Sequence, residues 1–270
     1  MTNKKIGIIG CGNMGEALLS RLAKVAVKSA DLIVAEMDAG RRGDIMSRHK
    51  MIVGIDNNYL VKYSDVIIIA VKPKDFDVLL KQEICCGVSK RKLVISLAAG
   101  ITTKYIESVI GNDVPVVRAM PNMAAVIGES MTVVSGGTSA GRRHVKLAIE
   151  ILSCIGDVVE TDEKLLDAVT AISGSGPAYF FYLMESMIES AISLGLNKKL
   201  AERLVYKTAL GSAKLVHLLE THPKILRARV TSKGGTTEAA FKVFEAKKFK
   251  AVVKEAVKRA YVHSKKLGRS

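Results

Sequence analysis

Apolar residues fall into two kinds of pattern along the chain, and the change from one to the other divides it. In the first part they form short uninterrupted runs: Ile6–Ile9, Leu32–Ala35, Val66–Val71, Leu93–Ser96 and Val114–Val117. Strands buried on both faces read this way, and such strands belong to parallel sheets covered by helices. Between the runs, Gly15–Lys28, Ala39–His49 and Thr103–Ile110 carry helical spacing. Two further strands, Met131–Ser135 and Asp157–Glu160, flank a helix near Arg142–Cys154. Strand and helix alternating in this order predict a doubly wound α/β domain. After about Thr161 the strand pattern stops. Pro177–Leu194, Lys198–Leu219, Thr237–Ala246 and Phe249–Leu267 read as helices, with Gly195 and Pro223 as breaks. In the last of them Phe249, Val252, Val253, Ala256, Val257, Ala260 and Tyr261 make one apolar stripe with lysines opposite. The natural cut falls at residues 156–162, and the division is taken as 1–160 and 161–270.

Composition narrows the class. With 270 residues, 49% hydrophobic and 25% charged, the chain has the make-up of a globular protein of one large or two modest domains. The four cysteines, Cys11, Cys85, Cys86 and Cys154, show no CxxC pairing and no clustering with histidine, so neither a zinc site nor a disulfide framework is expected. Adjacent Cys85 and Cys86 read as small apolar fillers. Reduced thiols, no signal-like start and no apolar run longer than Val66–Val71 point to a soluble cytoplasmic protein without a membrane partner.

Charge adds a question. Lys and Arg number 41 against 26 Asp and Glu, a net charge of +15. From His222 to Ser270 there are 14 Lys and Arg against 3 Glu, so the C-terminal region holds most of the excess. Such an excess suits nucleic acid, a membrane surface or small anions. No helix-turn-helix, zinc spacing or RNP-like aromatic strand supports nucleic acid. Small anionic ligands and a solvated exterior account for it better.

The candidate chemistry begins at Gly10-Cys11-Gly12-Asn13-Met14-Gly15, which follows a strand and opens a helix. In GxGxxG the first Gly permits a tight turn, the second lets a pyrophosphate reach the backbone, and the third lets helix and strand pack closely. The phosphates then sit at the helix N-terminus, whose free N–H groups attract anions. This is the fingerprint of a Rossmann-type dinucleotide-binding domain. Glu36, after the second strand and 21 residues beyond Gly15, is placed to accept hydrogen bonds from both ribose hydroxyls and to repel a 2′-phosphate. Arg41 and Arg42 lie close by and could instead bind that phosphate, so the cofactor is NADH or NADPH with a lean towards NADH. Ala70-Val71-Lys72-Pro73 brings Val71 and Lys72 to a strand's C-terminal edge, where ligands of open α/β sheets bind. Small residues at Ser96–Gly100 leave room for the nicotinamide half. Asn122 is placed to hold a carboxamide or to cap a turn.

The helical part has two glycine clusters, Ser173–Pro177 and Ser232–Thr237, each preceding a helix. Each fits a small carboxylate or a well-capped loop. No HExxH-like metal spacing appears, no metal is expected, and the five histidines are scattered.

Taken together these segments resemble the pyrroline-5-carboxylate reductase family. The resemblance runs nearly the whole chain in order: IGIIGCGNMGEAL, IIIAVKPKD, VISLAAGI, VRAMPNMAAVIGE, ISGSGPAYFF, TALGSAK and SKGGTTEAA. ISGSGPAYFF followed by GGTT is far more specific than the glycine turn. The resemblance implies an NAD(P)H-dependent oxidoreductase that reduces the C=N of 1-pyrroline-5-carboxylate to L-proline, the last step of proline synthesis. It implies a Rossmann-type domain followed by an all-α dimerisation domain that forms an intertwined homodimer, often a pentamer of dimers. It places the cofactor on Gly10–Gly15, Glu36, Asn57, Val71, Lys72 and Ala99. Ser232 and the Gly235–Thr236 backbone would hold the substrate carboxylate, and Thr237, the catalytic residue, would hydrogen-bond the ring nitrogen. Glu163 and Glu220 would lie near the substrate. The chain departs from the family where relatives read SPGGTT and it has Lys233, where an acid precedes the loop and it has Ala228, and where MPNTPA becomes Met120–Ala125. Related β-hydroxyacid dehydrogenases share the two-domain plan but need a lysine after their Gly-rich segment, and PAYFFYLMES after Gly176 offers none.

Overall fold

Aliphatic β-branched runs too short for helices pair edge to edge when both faces can be covered, and here they build one eight-stranded sheet. The computed structural model describes residues 4–25, 31–85 and 87–267. Strand β1 (Ile6–Ile9) leads into helix α1 (Asn13–Val25), followed by β2 (Leu32–Ala35), α2 (Ala39–His49), β3 (Val53–Gly54) and α3 (Asn57–Tyr63). Then come β4 (Val66–Ile69), α4 (Pro73–Val78) running into a π-helical turn at Leu79–Ile84, β5 (Leu93–Ser96), α5 (Thr103–Ile110) and β6 (Val116–Met120). After a 3₁₀ segment, Met123–Ile127, follow β7 (Ser130–Gly136), α6 (Arg142–Leu152) and β8 (Gly156–Glu160).

The strand order is β3-β2-β1-β4-β5-β6-β7-β8. Strands β1 to β6 pair in parallel, β7 runs antiparallel to β6, and β8 runs parallel to β7. Alternate side chains supply two separate cores: Ile6, Ile8, Val34 and Ile68 belong to one, Ile9, Ala35, Ile67 and Ile69 to the other. The order reverses between β1 and β4, so their carboxyl ends open a crevice, the place where doubly wound sheets take ligands.

Beyond β8 the chain is helical: α7 (Leu166–Val169), a π-helical turn at Thr170–Gly174, α8 (Gly176–Ser193), α9 (Lys198–Leu219), α10 (Pro223–Arg229), α11 (Thr236–Ala246) and α12 (Phe249–Leu267). Two compact units result, one running to Ser175 and taking in Ala260 onward, the other Gly176–Arg259. Contacts group residues 161–175 with the sheet unit. The segment after β8 is fastened to the sheet by Glu163 on Thr103 and by Asn122 on Ser173.

Several boundaries differ from expectation. β4 stops at Ile69, two residues short of Val71, and β6 runs Val116–Met120 where Val114–Val117 was expected. Helix α1 opens at Asn13, ahead of the expected Gly15; the expected stretch to Lys28, like Cys86, lies partly or wholly outside the described residues. No helix among the described residues is long and apolar enough to cross a membrane.

Candidate active site

The glycines after β1 have three distinct jobs. Gly10 takes φ +85°, which an L side chain rarely adopts, and its N–H donates to Ala35 O at 2.9 Å. Gly15 lies so close beneath the turn that a Cβ would sit 2.1 Å from Gly10 O. Around a Cβ at Gly12, by contrast, nothing lies within 4 Å. The first and third glycines are required by the fold, and the middle one keeps space open. That space faces the start of α1, whose first amides have no acceptor within the helix.

Glu36 follows β2 and closes the turn from the side. Its Oε2 accepts the Cys11 N–H at 2.7 Å and its Oε1 accepts the Asp38 N–H at 3.0 Å. Arg41 donates from Nε to Cys11 O and reaches Glu16 Oε2 from Nη2 at 3.0 Å. Arg42 Nη1 donates to Glu36 O and Met37 O, each at 2.9 Å. Both arginines are therefore held by acceptors of the protein itself. Burial, reinforced by the nearby carboxylates of Glu36 and Glu16, pushes the Cys11 thiol up to about 12. It is a packed thiol under the turn and no nucleophile.

These elements enclose a cleft of about 1020 Å³ at the β1–β4 crevice. Of the residues expected to hold a cofactor, Gly10, Gly12, Asn13, Met14 and Glu36 line it, as do Asn57, Val71, Lys72 and Ala99. Cys11 and Gly15 lie buried beneath. Val71 packs against the turn, 2.8 Å from where a Gly10 Cβ would be. Lys72 is exposed and occupies the N-cap of α4, with Pro73 at its first position. Asn57 is buried in the first turn of α3 and donates from Nδ2 to Glu83 Oε2 at 2.6 Å. Glu83 also lines the cleft and was not expected. It sits in the π-helical turn, whose wider winding no 3.6-residue pattern reveals.

The residues expected to hold a substrate form separate groups. Glu163, in the sheet unit, accepts the Thr103 N–H at Oε1 (2.7 Å) and the Thr103 hydroxyl at Oε2 (2.6 Å). The buried Arg118 approaches the same Oε1 at 3.4 Å and Asp167 Oδ1 at 3.5 Å. The carboxylate thus caps the start of α5, just after the Ala98–Ala99 wall of the cleft. The others lie in the helical unit. Glu220 ends α9, exposed, with φ 46°. Ser232 to Gly235 form a tight turn, the Gly235 N–H donating to Ser232 O at 3.1 Å and Gly234 taking φ +76°. Gly235 is the N-cap of α11, which places Thr236 and Thr237 in its first turn. A Cβ on Gly235 would meet Ser232 Oγ at 2.6 Å.

Asn122 and Gly174 both have roles in local structure. Asn122 caps the 3₁₀ segment, its Oδ1 accepting the Ala124 N–H at 3.1 Å, while Nδ2 donates to Ser173 Oγ at 3.2 Å. Gly174 permits a close approach, since its Cβ would lie 2.5 Å from Met120 Cε. Among the described residues no cluster of three His, Cys, Asp or Glu side chains is placed to hold a metal ion.

Known proteins match this arrangement end to end. The family model described as "Pyrroline-5-carboxylate reductase dimerisation" matches residues 163–267, and one described as "NADP oxidoreductase coenzyme F420-dependent" matches residues 5–100. The pyrroline-5-carboxylate reductase of Synechocystis is 37% identical and that of Methanosarcina acetivorans also 37%, covering 98% and 100% of this chain and the same shares of their own. The chain belongs to the pyrroline-5-carboxylate reductase family. A solved family structure from Coxiella burnetii superposes with a TM-score of 0.89 at 31% identity, covering 100% of both chains. The Plasmodium falciparum pyrroline carboxylate reductase, solved with NADP bound, gives 0.91 at 29% identity over 99% of each. Lys233 stands exposed immediately before the left-handed Gly234.

Proposed function

We propose that the protein is a pyrroline-5-carboxylate reductase that reduces the C=N of 1-pyrroline-5-carboxylate to L-proline with NAD(P)H. The observation that carries the reading is the cleft at the β1–β4 crossover, where Gly12 faces open space at the helix terminus and Glu36 stands at the end of β2. The residues present fit a dinucleotide. Gly12, Asn13 and Met14 would meet the pyrophosphate, Glu36 the adenosine ribose, and Val71, Lys72 and Ala99 the nicotinamide half. When bound, the nicotinamide supplies the hydride.

The chain's own task is positioning. An iminium is already electrophilic, so orienting ring and cofactor does most of the work. Ser232 and the amides of Gly235 and Thr236 would hold the substrate carboxylate at the start of α11, where helix amides favour an anion. Thr237 would hold its hydroxyl on the ring nitrogen, whose iminium proton stays in place as the C=N carbon gains hydride and the positive charge is lost. Glu163 and Glu220 complete the surroundings of the ring. Residues 161–270 form the dimer in this reading, the Ser232–Thr237 loop acting with the cofactor cleft of a second copy, and five dimers assemble into a decamer in the cytoplasm.

Adding 1-pyrroline-5-carboxylate to protein and NADH or NADPH should consume the cofactor's near-ultraviolet absorbance; no turnover with either overturns the reading. Thr237→Ala should lower kcat/KM about tenfold, the loss of one hydrogen bond of about 1.5 kcal/mol. An unchanged value removes Thr237 from the mechanism.

A further inference from the structure

Glu16 has no part in the mechanism above, yet two arginines and a histidine converge on it. It lies in the first turn of α1, with only 15% of its side chain exposed. Arg41 Nη2 reaches its Oε2 at 3.0 Å; Arg48 Nη1 and His49 Nε2 reach its Oε1 at 2.7 and 3.4 Å. All three come from α2, the helix that follows the β2 edge of the cleft. Only Arg41 of the three lines that cleft, beside Glu36, Met37 and Asp38.

We propose that Glu16 is a specificity-determining residue: by holding Arg41 it withholds from a 2′-phosphate the guanidinium that group would need, and so tilts the chain towards NADH. The inference rests on the cofactor reading above. A 2′-phosphate brings about two negative charges at neutral pH and calls for a guanidinium with free N–H groups. On the β2 side of the cleft Arg41 lies on Glu16, and the lining residues Glu36 and Asp38 add two further carboxylates. The guanidiniums of Arg41, Arg42 and Arg48 each already donate to an acceptor of the protein. Arg41 is shared between Glu16 and Cys11 O, Arg42 donates to two backbone carbonyls, and Arg48 lies on Glu16. A phosphate dianion would enter beside the Glu36 carboxylate, where Arg41 is already held by Glu16. Two neutral ribose hydroxyls would meet Glu36 at no such cost.

Glu16→Gln removes one negative charge and frees Arg41 without touching a cleft-lining residue. The test is equilibrium binding, read by cofactor fluorescence, of NADH and NADPH to wild type, Glu16→Gln and Glu16→Gln/Arg41→Ala. Glu16→Gln should raise the NADPH-to-NADH affinity ratio about tenfold, as expected for one unit charge near a partly screened dianion. The added Arg41→Ala should return the ratio close to that of wild type. Titrating wild type with adenosine 2′,5′-bisphosphate and with ADP needs no variant, and ADP should bind at least as tightly. A ratio unmoved in Glu16→Gln that still binds NADH, or tighter binding of the 2′,5′-bisphosphate to wild type, overturns the assignment of Glu16. Failure of wild type to bind either dinucleotide would instead overturn the cofactor reading on which it rests.

Discussion

The two compact units treat their apolar side chains in opposite ways. In the sheet unit Ile6, Ile8, Ile67, Ile68 and Phe76 are wholly buried, and the strands contribute to cores on both faces. From Gly176 to Arg259 the buried residues are Gly176, Ala201 and Val205, while Phe180, Tyr182, Leu204 and Leu210 are each about half exposed or more. Apolar area kept from water is worth roughly 25 cal/mol per Å², so the first unit holds its driving force within itself. The second leaves many large apolar side chains exposed, as surfaces that pack against a partner do. The contrast accords with a family whose matching model over residues 163–267 is described by dimerisation. Stability of the sheet unit should therefore be a property of one chain, and stability of the helical unit a property of the assembly.

The largest expected effect lies in the sheet core. Ile68→Ala at the centre of β4 should cost about 2–5 kcal/mol and lower the thermal midpoint by many degrees at every protein concentration. A midpoint depression that vanished on concentrating the sample would instead tie the sheet unit's stability to assembly.

Next come the glycines, where sheet stability and ligand binding separate within one turn. Gly15→Ala forces a methyl onto Gly10 O and should cost about 1–3 kcal/mol or more. Gly12→Ala meets open space and should leave the midpoint within about 0.5 kcal/mol while weakening NADH binding in a fluorescence titration. If Gly12→Ala bound NADH as wild type does, the pyrophosphate would not lie against it.

How much of this was legible in the sequence follows from how local each feature is. Strands buried on both faces announce themselves as unbroken apolar runs, so β1, β2, β4 and β5 were readable to within two residues. The glycine turn was readable because its meaning lies in the spacing of adjacent residues. Strand β3 is only Val53–Gly54, and α3 is the mixed segment NNYLVKY, too short and too polar to show a period. Partnerships across the fold left no local mark. Glu16 finds Arg41, Arg48 and His49 on another helix, and Glu163 finds Thr103 and Arg118 on elements far upstream. Side-chain ties from Glu163 and Ser173 likewise group the segment after β8 with the sheet, and no local pattern announces them.

In the helical unit a single substitution should change the assembly more than the fold. Leu204→Arg places a charge on a half-exposed position of α9. It should lower the mass measured by light scattering towards that of one chain, while moving the sheet unit's unfolding by less than about 1 kcal/mol. An unchanged mass would mean that this face of α9 is not what the assembly covers.

The smallest expected effect is an absence of change, and it tests the independence of the sheet unit most directly. All four cysteines precede Gly176, so thiol chemistry reports on that unit alone. Burial raises Cys11 to about 12 and Cys154 to about 11. A thiol whose folded value is raised favours the protonated form, so its contribution to stability is fully present below the ordinary thiol range near pH 9. That contribution is lost as pH rises through 11 and 12. At pH 8 both thiols should resist iodoacetamide, with mass spectrometry of digested peptides showing alkylation only on unfolding. In Leu204→Arg the same protection should persist although the assembly has come apart. Rapid labelling of Cys11 in that variant would show that the glycine turn depends on the partner after all.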